Sequence, residues 1–172
     1  MKKFCIITLL IAIITLTVAV GVEKPTKKYE YLRIHVRANS NSEADQQIKM
    51  TIKDVTVEYL TPFIVNCESK QDALNVINSV ENSLENVINV TLLSKGFNYT
   101  CNVKTANEKF PLRVYDNVTL EEGYYDAVIV ELGKAEGDNW WCVMYPPLCF
   151  YGSETNVKYK SKIKEIIDEF FS

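Results

Sequence analysis

The strongest constraint on this chain is an unbroken apolar run at its N-terminus. Lys2 and Lys3 precede the run, which covers residues 4–22 and holds no charged side chain. A helix of this length rises about 28 Å at roughly 1.5 Å per residue, which is close to the hydrocarbon thickness of a bilayer. Residues 1–22 are therefore predicted to be either a cleaved signal peptide or an uncleaved N-terminal membrane anchor.

The flanks of this segment indicate where the rest of the chain lies. Residues 19–21 (Ala-Val-Gly) resemble the small-x-small sequence that a signal peptidase reads, with cleavage after Gly21. Because Lys2 and Lys3 lie where a signal peptide has its positive n-region, we expect export of the C-terminal bulk. Three lysines that follow the run weaken this charge bias. An uncleaved segment with the body in the cytosol is therefore the alternative.

The remainder of the sequence is typical of a short tether and one folded domain. Residues 23–30 are polar and contain Pro25, so they are interpreted as the tether. Residues 31–172 are predicted to form a single extracytoplasmic domain. The chain carries a net charge of −3, with 24% of its residues charged. Such a composition gives no basic surface for DNA or RNA, so we expect no nucleic-acid partner.

Hydrophobic periodicity predicts the order of elements in the body. Leu32, Ile34 and Val36 alternate with polar residues, which indicates a half-buried strand over residues 31–38. The further predicted elements are a helix capped by Ser42 and ended by Pro62, a helix from Ser69 to Gly96, strands over 97–103, 112–115, 124–132 and 140–145, and an amphipathic helix over 156–171.

These elements predict an α+β fold. The strand over 124–132 is apolar on both faces and is expected to be central. Turn residues at 133–139 predict that the strand over 140–145 pairs back on it as a hairpin. We expect a mostly antiparallel four- to five-stranded sheet packed against three helices, preceded by one N-terminal hydrophobic helix.

The residues offer little support for catalysis. His35 is the only histidine, and it lies between two arginines on the polar side of a strand. There is no second histidine and no Cys-x-x-Cys pair, so we predict no metal, cofactor or catalytic site. Carboxylates are abundant, and the sequence singles out none of them. An extracytoplasmic carboxylate-dependent hydrolase is the alternative class.

The cysteines suggest a disulfide. Apart from Cys5 in the apolar run, four cysteines lie in the body, and an even number in an exported chain favours bridges. Cys142 and Cys149 flank two prolines and are the preferred pair. A Cys67–Cys101 bridge is less favoured, and the alternative is four buried thiols.

The densest aromatic cluster follows the predicted turn. Trp140 and Trp141 are adjacent, so on a strand their side chains point to opposite faces. One can fill the core, whereas the other meets a second layer, a partner or water. The hypothesis is a partner-binding surface. Its residues are Trp140, Trp141, Tyr145, Pro146, Pro147 and Leu148.

Two strings in this chain resemble a known family. NWWCVMYPPLCF at residues 139–150, together with LRIHVRANSNSEADQQIK at 32–49, is similar to the stage II sporulation protein R family of spore-forming Firmicutes. Four residues match the family's pattern near the first strand and are interpreted as setting local architecture: Asn39, Ser40, Asp45 and Gln46. Asn41 departs from the pattern, since the family often has aspartate there.

The resemblance implies signalling rather than catalysis. Family members are made in the forespore and exported across its membrane into the space between the two septal membranes. There they trigger a membrane-embedded aspartic protease of the mother cell, which removes the pro-sequence of sigma-E. The resemblance therefore implies that this protease is the partner, with contact to the membrane through residues 4–22 if they stay uncleaved.

Overall fold

The computed structural model describes residues 31–115, 118–151 and 160–171. The predicted signal or anchor segment (1–22) and the tether (23–30) lie outside these residues. No helix within the described ranges is both long and apolar enough to cross a bilayer.

The described residues form ten elements, and the α+β class is confirmed. In chain order these are β1 (Leu32–Arg37), α1 (Glu43–Ile64), α2 (Lys70–Ser94), β2 (Cys101–Phe110), β3 (Arg113–Tyr115), β4 (Val118–Leu120), β5 (Gly123–Leu132), β6 (Asn139–Tyr145), α3 (Leu148–Tyr151) and α4 (Lys160–Phe171). The predicted C-terminal helix is thus described from Lys160, and α3 was not predicted.

The sheet is mixed, which corrects the predicted mostly antiparallel arrangement. Its strand order is β2-β5-β1-β6, and β3 and β4 form a separate two-stranded sheet. β1 runs parallel to β5 and antiparallel to β6. The predicted hairpin between β5 and β6 is therefore wrong, because β1 lies between them. The connecting loop passes over the end of β1, where the N–H of Gly137 donates to the carbonyl of Ala38 at 2.9 Å.

β1 is buried on both faces, not half-buried as its alternating pattern predicts. Leu32, Ile34 and Val36 pack into the main core between the sheet and the helices. On the opposite face, Arg33 and His35 are also buried. A second hydrophobic cluster around Phe110 and Tyr125 covers this face, together with Tyr115 of β3. Even the polar side chains of this face are therefore removed from water.

The helix starts follow their predicted caps. Ser42 Oγ accepts a hydrogen bond from the N–H of Asp45 at the start of α1, and Ser69 Oγ accepts one from Asp72 at the start of α2. α1 continues past Pro62 to Ile64, so the predicted end was wrong. A proline in the last turn removes one N–H, and the N–H of Val65 still reaches Thr61 O at 3.2 Å.

β2 begins and ends later than the strand predicted over 97–103. The side chains of α2 cap its free edge, since Asn89 Oδ1 accepts from the N–H of Cys101 at 2.8 Å and Glu85 Oε2 from that of Val103 at 2.9 Å. Residues 104–110, for which no element is predicted, extend the strand to Phe110 by pairing with β5. The short strand expected at 112–115 is confirmed as β3.

Candidate functional site

The sheet surface opposite α1 and α2 carries a cluster of rings and cations. Phe110 and Tyr125 are buried in it, and Trp141 packs against them. Tyr115 and Arg113, both on β3, reach this surface from the two-stranded sheet. We call this surface the aromatic face, and its residues are Arg33, His35, Phe110, Arg113, Tyr115, Tyr125 and Trp141.

Arg33 lies at the centre of the aromatic face and is fully buried. Its guanidinium carbon is 4.3 Å from the centroid of Phe110, 5.0 Å from Tyr125 and 5.8 Å from Tyr115. Nη2 donates to the Tyr115 hydroxyl at 2.8 Å, whereas Nε and Nη1 are buried without a hydrogen-bond partner. Burial lowers the pKa of Arg33. The rings stabilise a buried cation by cation–π attraction.

Arg113 is the second guanidinium of the aromatic face. Its carbon lies 4.3 Å above the ring of Trp141, and both side chains are half-buried. Trp140 points to the other face of the sheet and packs against the main core. The prediction that the two tryptophans face opposite ways is therefore confirmed, and Trp141 is the one that meets a second layer.

A group of ion pairs borders the aromatic face. Arg37 pairs with Glu108 and, at 2.7 Å, with Glu131. Lys104 also pairs with Glu131, at 2.8 Å. Although burial opposes it, hydrogen bonds from Lys104 and Asn102 lower the pKa of Glu131. Two cations are thus matched by two carboxylates.

His35 joins this group as a neutral ring. Burial, together with the nearby charge of Arg37, lowers the pKa of His35 to about 4. At neutral pH its Nδ1 therefore donates to Glu108 Oε2, 2.8 Å away. The Asn139 side chain favours the protonated form of the ring, yet Nε2 and Asn139 Oδ1 do not meet hydrogen-bond geometry. A ring that is 5% exposed has little access to a substrate.

The family-matching residues form a network around a buried carboxylate. Asp45 accepts hydrogen bonds from Asn39 Nδ2 at 2.8 Å, Ser40 Oγ at 2.5 Å and Tyr99 OH at 2.6 Å. Burial alone would raise the pKa of Asp45, but these hydrogen bonds outweigh it and lower the pKa. Asp45, in the first turn of α1, is therefore ionised and accepts the hydrogen bonds that hold the β1–α1 loop.

The same network holds the β5–β6 loop. Asn39 Oδ1 accepts from the N–H of Lys134 at 2.9 Å. Gln46 Nε2 donates to Ser40 O at 2.9 Å, and Lys49 Nζ links Gln46 Oε1 to Asp138 O. Asn39 and Tyr99 also line an open groove of about 500 Å³. Asn39, Ser40, Asp45 and Gln46 thus lie together where two loops meet.

The predicted partner-binding residues differ in accessibility. Tyr145, Pro146 and Pro147 are buried, whereas Trp140, Trp141 and Leu148 keep partial exposure. Of the two tryptophans, only Trp141 lies on the aromatic face. Partner binding by these six residues stays a prediction. Tyr145, Pro146 and Pro147 offer little surface to a partner, and the exposed part of Trp140 lies on the face that packs against the main core.

One of the two proposed bridges is present. Cys142 and Cys149 form a disulfide with their Cα atoms 5.8 Å apart. Cys67 and Cys101 are buried free thiols, so that bridge is not formed. Cys67 lies just before the start of α2, whereas Cys101 packs beside Glu85 of the same helix. Glu85 is about 24 Å along the helix axis from its start, so the two sulfur atoms are far apart. Burial also raises the pKa of Cys101 to about 12, which disfavours the reactive thiolate.

Sequence reasoning missed Arg33, Phe110, Arg113, Tyr115 and Tyr125 as members of a common site. Arg33 was assigned to a solvated strand face, and β3 was recognised only as a short strand. A usable signal was present, since Arg113 and Tyr115 alternate with Leu112 and Val114. Such alternation predicts that both polar residues share one face of the strand. Which surface they cover depends on tertiary packing.

Comparisons with known proteins cover both the Asp45 network and the aromatic face. The family described as stage II sporulation protein R matches residues 28–155. Stage II sporulation protein R of Bacillus subtilis (strain 168) is 32% identical over 161 residues, which span 87% of this chain and 72% of that protein. No solved structure matches the chain. The family match covers most of the chain and indicates a role in sporulation. The chain belongs to the stage II sporulation protein R family.

Proposed function

We propose that this protein is an exported signal that activates a membrane-embedded aspartic protease of the mother cell, leading to processing of pro-sigma-E. The observation that carries the proposal is the family match over residues 28–155. The family's name supports a role in sporulation. The protease step is the activity that the family resemblance implies. In this proposal the protein acts by binding and is not itself an enzyme.

The proposed location is the space between the two septal membranes. The apolar run at residues 4–22 supports export, either as a cleaved signal or as an anchor. The Cys142–Cys149 disulfide supports it too, because disulfides persist in oxidising compartments. Mass spectrometry of the extracellular form under non-reducing conditions tests both points. We expect one disulfide and, if the segment is cleaved, an N-terminus at Val22.

The proposed contact residues are Trp141 on the aromatic face and Leu148 at the start of α3. Trp141 is a large ring at partial exposure beside a cation, and aromatic and arginine side chains supply much of the binding energy in protein interfaces. Leu148 lies next to the disulfide that closes the loop after β6. A loop fixed in this way loses little conformational entropy on binding, which favours affinity.

The carboxylates of this structure support binding over hydrolysis. A general acid at neutral pH needs a raised pKa. Asp45 and Glu131 are two buried or half-buried carboxyl groups, and the pKa of each is lowered. Their oxygens accept hydrogen bonds or pair with cations. Replacing Glu108 or Glu131 with Gln in a folded variant should therefore leave pro-sigma-E processing intact.

Complementation of a strain that lacks this protein tests the proposal. We expect Trp141→Ala and Leu148→Ala to slow pro-sigma-E processing while the variants accumulate and fold as the wild type does. Leu93→Ser is the matched control, because Leu93 is an exposed apolar residue on α2. Normal processing with every folded variant would remove these residues from the interface. Absence of any processing defect when the gene is deleted would overturn the function itself.

A further inference from the structure

Two guanidinium groups of the aromatic face have no carboxylate partner. Of the ion pairs that the described ranges contain, none includes Arg33 or Arg113. The two groups are close enough for each charge to act on the other, since Arg113 lowers the pKa of Arg33. Among the described residues, this surface therefore holds two neighbouring positive charges that no carboxylate pairs with.

Arg33 shows that the cluster is incomplete. Its guanidinium is fully buried, and Nε and Nη1 donate to nothing. Burying an unpaired charge with open donors is costly, and three rings offset this only in part. In a medium of low polarity the field of such a charge is poorly screened. An anion at the nearby surface would therefore be attracted by Arg33 as well as by the group that it touches.

The neighbouring charges do not cancel this field. Arg37 and Lys104 are matched by Glu108 and Glu131. His35 is neutral at pH 7 because burial lowers its pKa to about 4. The aromatic face therefore keeps two unmatched positive charges, although the whole chain has a net charge of −3.

Arg113 provides the accessible end of the cluster. It is half-buried, and its guanidinium carbon lies 4.3 Å from the centroid of Trp141, so the ring covers one side of the group. Nη1 donates to the carbonyl of Leu112 at 3.4 Å, and the remaining coplanar N–H donors of the guanidinium match the oxygens of a carboxylate. Beside it, Tyr115 OH accepts from Arg33 and keeps its own proton, because burial raises its pKa. That hydroxyl can donate to the same carboxylate.

We propose that Arg113, with Tyr115 and the buried Arg33 behind it, forms a binding site for a carboxylate side chain on an acidic segment of a protein partner. A protein carboxylate suits the surroundings, since the half-buried apolar ring of Trp141 lies beside Arg113 on the same face. A segment that places an acidic residue beside apolar ones would meet both. The site does not depend on the proposed protease signalling, and it can be tested without the sporulation pathway.

Trp141 offers a direct readout. The chain has two tryptophans, so Trp140→Phe leaves Trp141 as the only one. The full-length variant in non-ionic detergent is titrated with a tetraglutamate peptide, and tetraglutamine at matched ionic strength serves as the neutral probe. We expect a saturable change in Trp141 emission with tetraglutamate only. Arg113→Gln in the same background should weaken binding about tenfold or more, as expected for loss of a charge-assisted hydrogen bond.

Further variants separate a specific site from general charge attraction. Lys109→Gln removes an exposed cation that pairs with Glu122, and it should bind tetraglutamate as before. Arg113→Lys keeps the charge but loses the fork, so binding should fall between the wild type and Arg113→Gln. Tyr115→Phe should weaken binding by a smaller factor. Circular dichroism on each variant confirms that the fold is kept.

Four results would overturn the proposal. The first is no saturable change with tetraglutamate, and the second is equal affinity in the folded Arg113→Gln variant. The third is binding of inorganic phosphate in place of tetraglutamate, which would assign the site to another ligand. The fourth is binding that occurs only in an Asp116→Asn variant, since the chain's own carboxylate would then fill the site.

Discussion

His35 Nδ1 lies 2.8 Å from Glu108 Oε2, yet the histidine is held in its neutral form. The carboxylate next to the ring is already paired with Arg37, and burial of the ring outweighs its attraction for a proton. The polar face of β1 is thus part of the protein interior, and His35 stays uncharged there between two arginines.

The stability of the fold should depend on pH through His35. Its pKa is about 4 in the folded protein and 6.5 in the reference state, so the unfolded chain binds the proton first. The contribution of neutral His35 to the free energy of unfolding is roughly 3 kcal/mol. It is present above pH 6.5 and is lost as the pH falls towards 4. Urea unfolding between pH 7 and pH 4 should show this loss.

His35→Gln is the variant that isolates this effect. An amide can still donate to Glu108 but does not titrate. The decrease in the free energy of unfolding between pH 6.5 and 4 should therefore disappear. Loss of stability through Asp45 and Glu131, whose pKa values are lowered, should remain at more acidic pH. An unchanged slope in His35→Gln would show that other groups cause the dependence.

Removal of the Asp45 carboxylate should destabilise the two loops together. Asp45→Ala leaves the half-buried donors of Asn39, Ser40 and Tyr99 without their acceptor. A loss of about 3 kcal/mol is expected, since several hydrogen bonds to a charged group are removed at once. Asp54→Ala on the same helix is the control, because that carboxylate is exposed and pairs only with Lys53. Equal losses in the two variants, measured by urea unfolding, would contradict the prediction.

Gly137 should tolerate no side chain. A Cβ at this position would overlap the backbone carbonyl of Ser40, which belongs to the loop that carries the Asp45 network. Gly137→Ala should therefore cost about 1–3 kcal/mol through overpacking. Gly96→Ala separates contact from backbone strain, since Gly96 has a φ of +82° and open space around it. Hydrogen exchange should show loosening near Ser40 in Gly137→Ala but not in Gly96→Ala.

The disulfide should stabilise the oxidised protein by about 2.5 kcal/mol, given its short loop. Dithiothreitol should lower the unfolding free energy of the wild type by this amount. The double variant Cys142→Ser/Cys149→Ser should start lower and not respond to the reductant. Cys67→Ala is the control that keeps the response, because Cys67 is a free thiol. A response in the double variant would mean that another bridge carries the stability.

Local signals in the sequence predicted local structure well. Ser42 and Ser69 each supply an oxygen to an N–H three residues later, and the spacing alone identifies such caps. The Cys142–Cys149 disulfide could also be predicted from the sequence, since only a short turn separates the two residues. The opposite orientation of Trp140 and Trp141 follows from the pleat of a strand.

The arrangement of strands depended on contacts between distant residues. A hairpin of β5 and β6 and a pair separated by β1 have the same alternating pattern, so the sequence did not distinguish them. The burial of Arg33 depends on Phe110, Tyr115 and Tyr125, which lie far from it along the chain. For that reason the aromatic face was predicted only through its tryptophan.

The central parallel pairing has a consequence for how the molecule reaches its native state. Leu32 aligns with Asp126, and Arg37 aligns with Glu131. β1 therefore gains its parallel neighbour only when β5 (Gly123–Leu132) is available. Topologies with such distant pairings fold slowly. A chain that is exported from its N-terminus could not complete this four-stranded sheet until β5 and β6 had both emerged. In the proposed export, the strand order thus delays completion of the sheet until most of the chain has crossed the membrane.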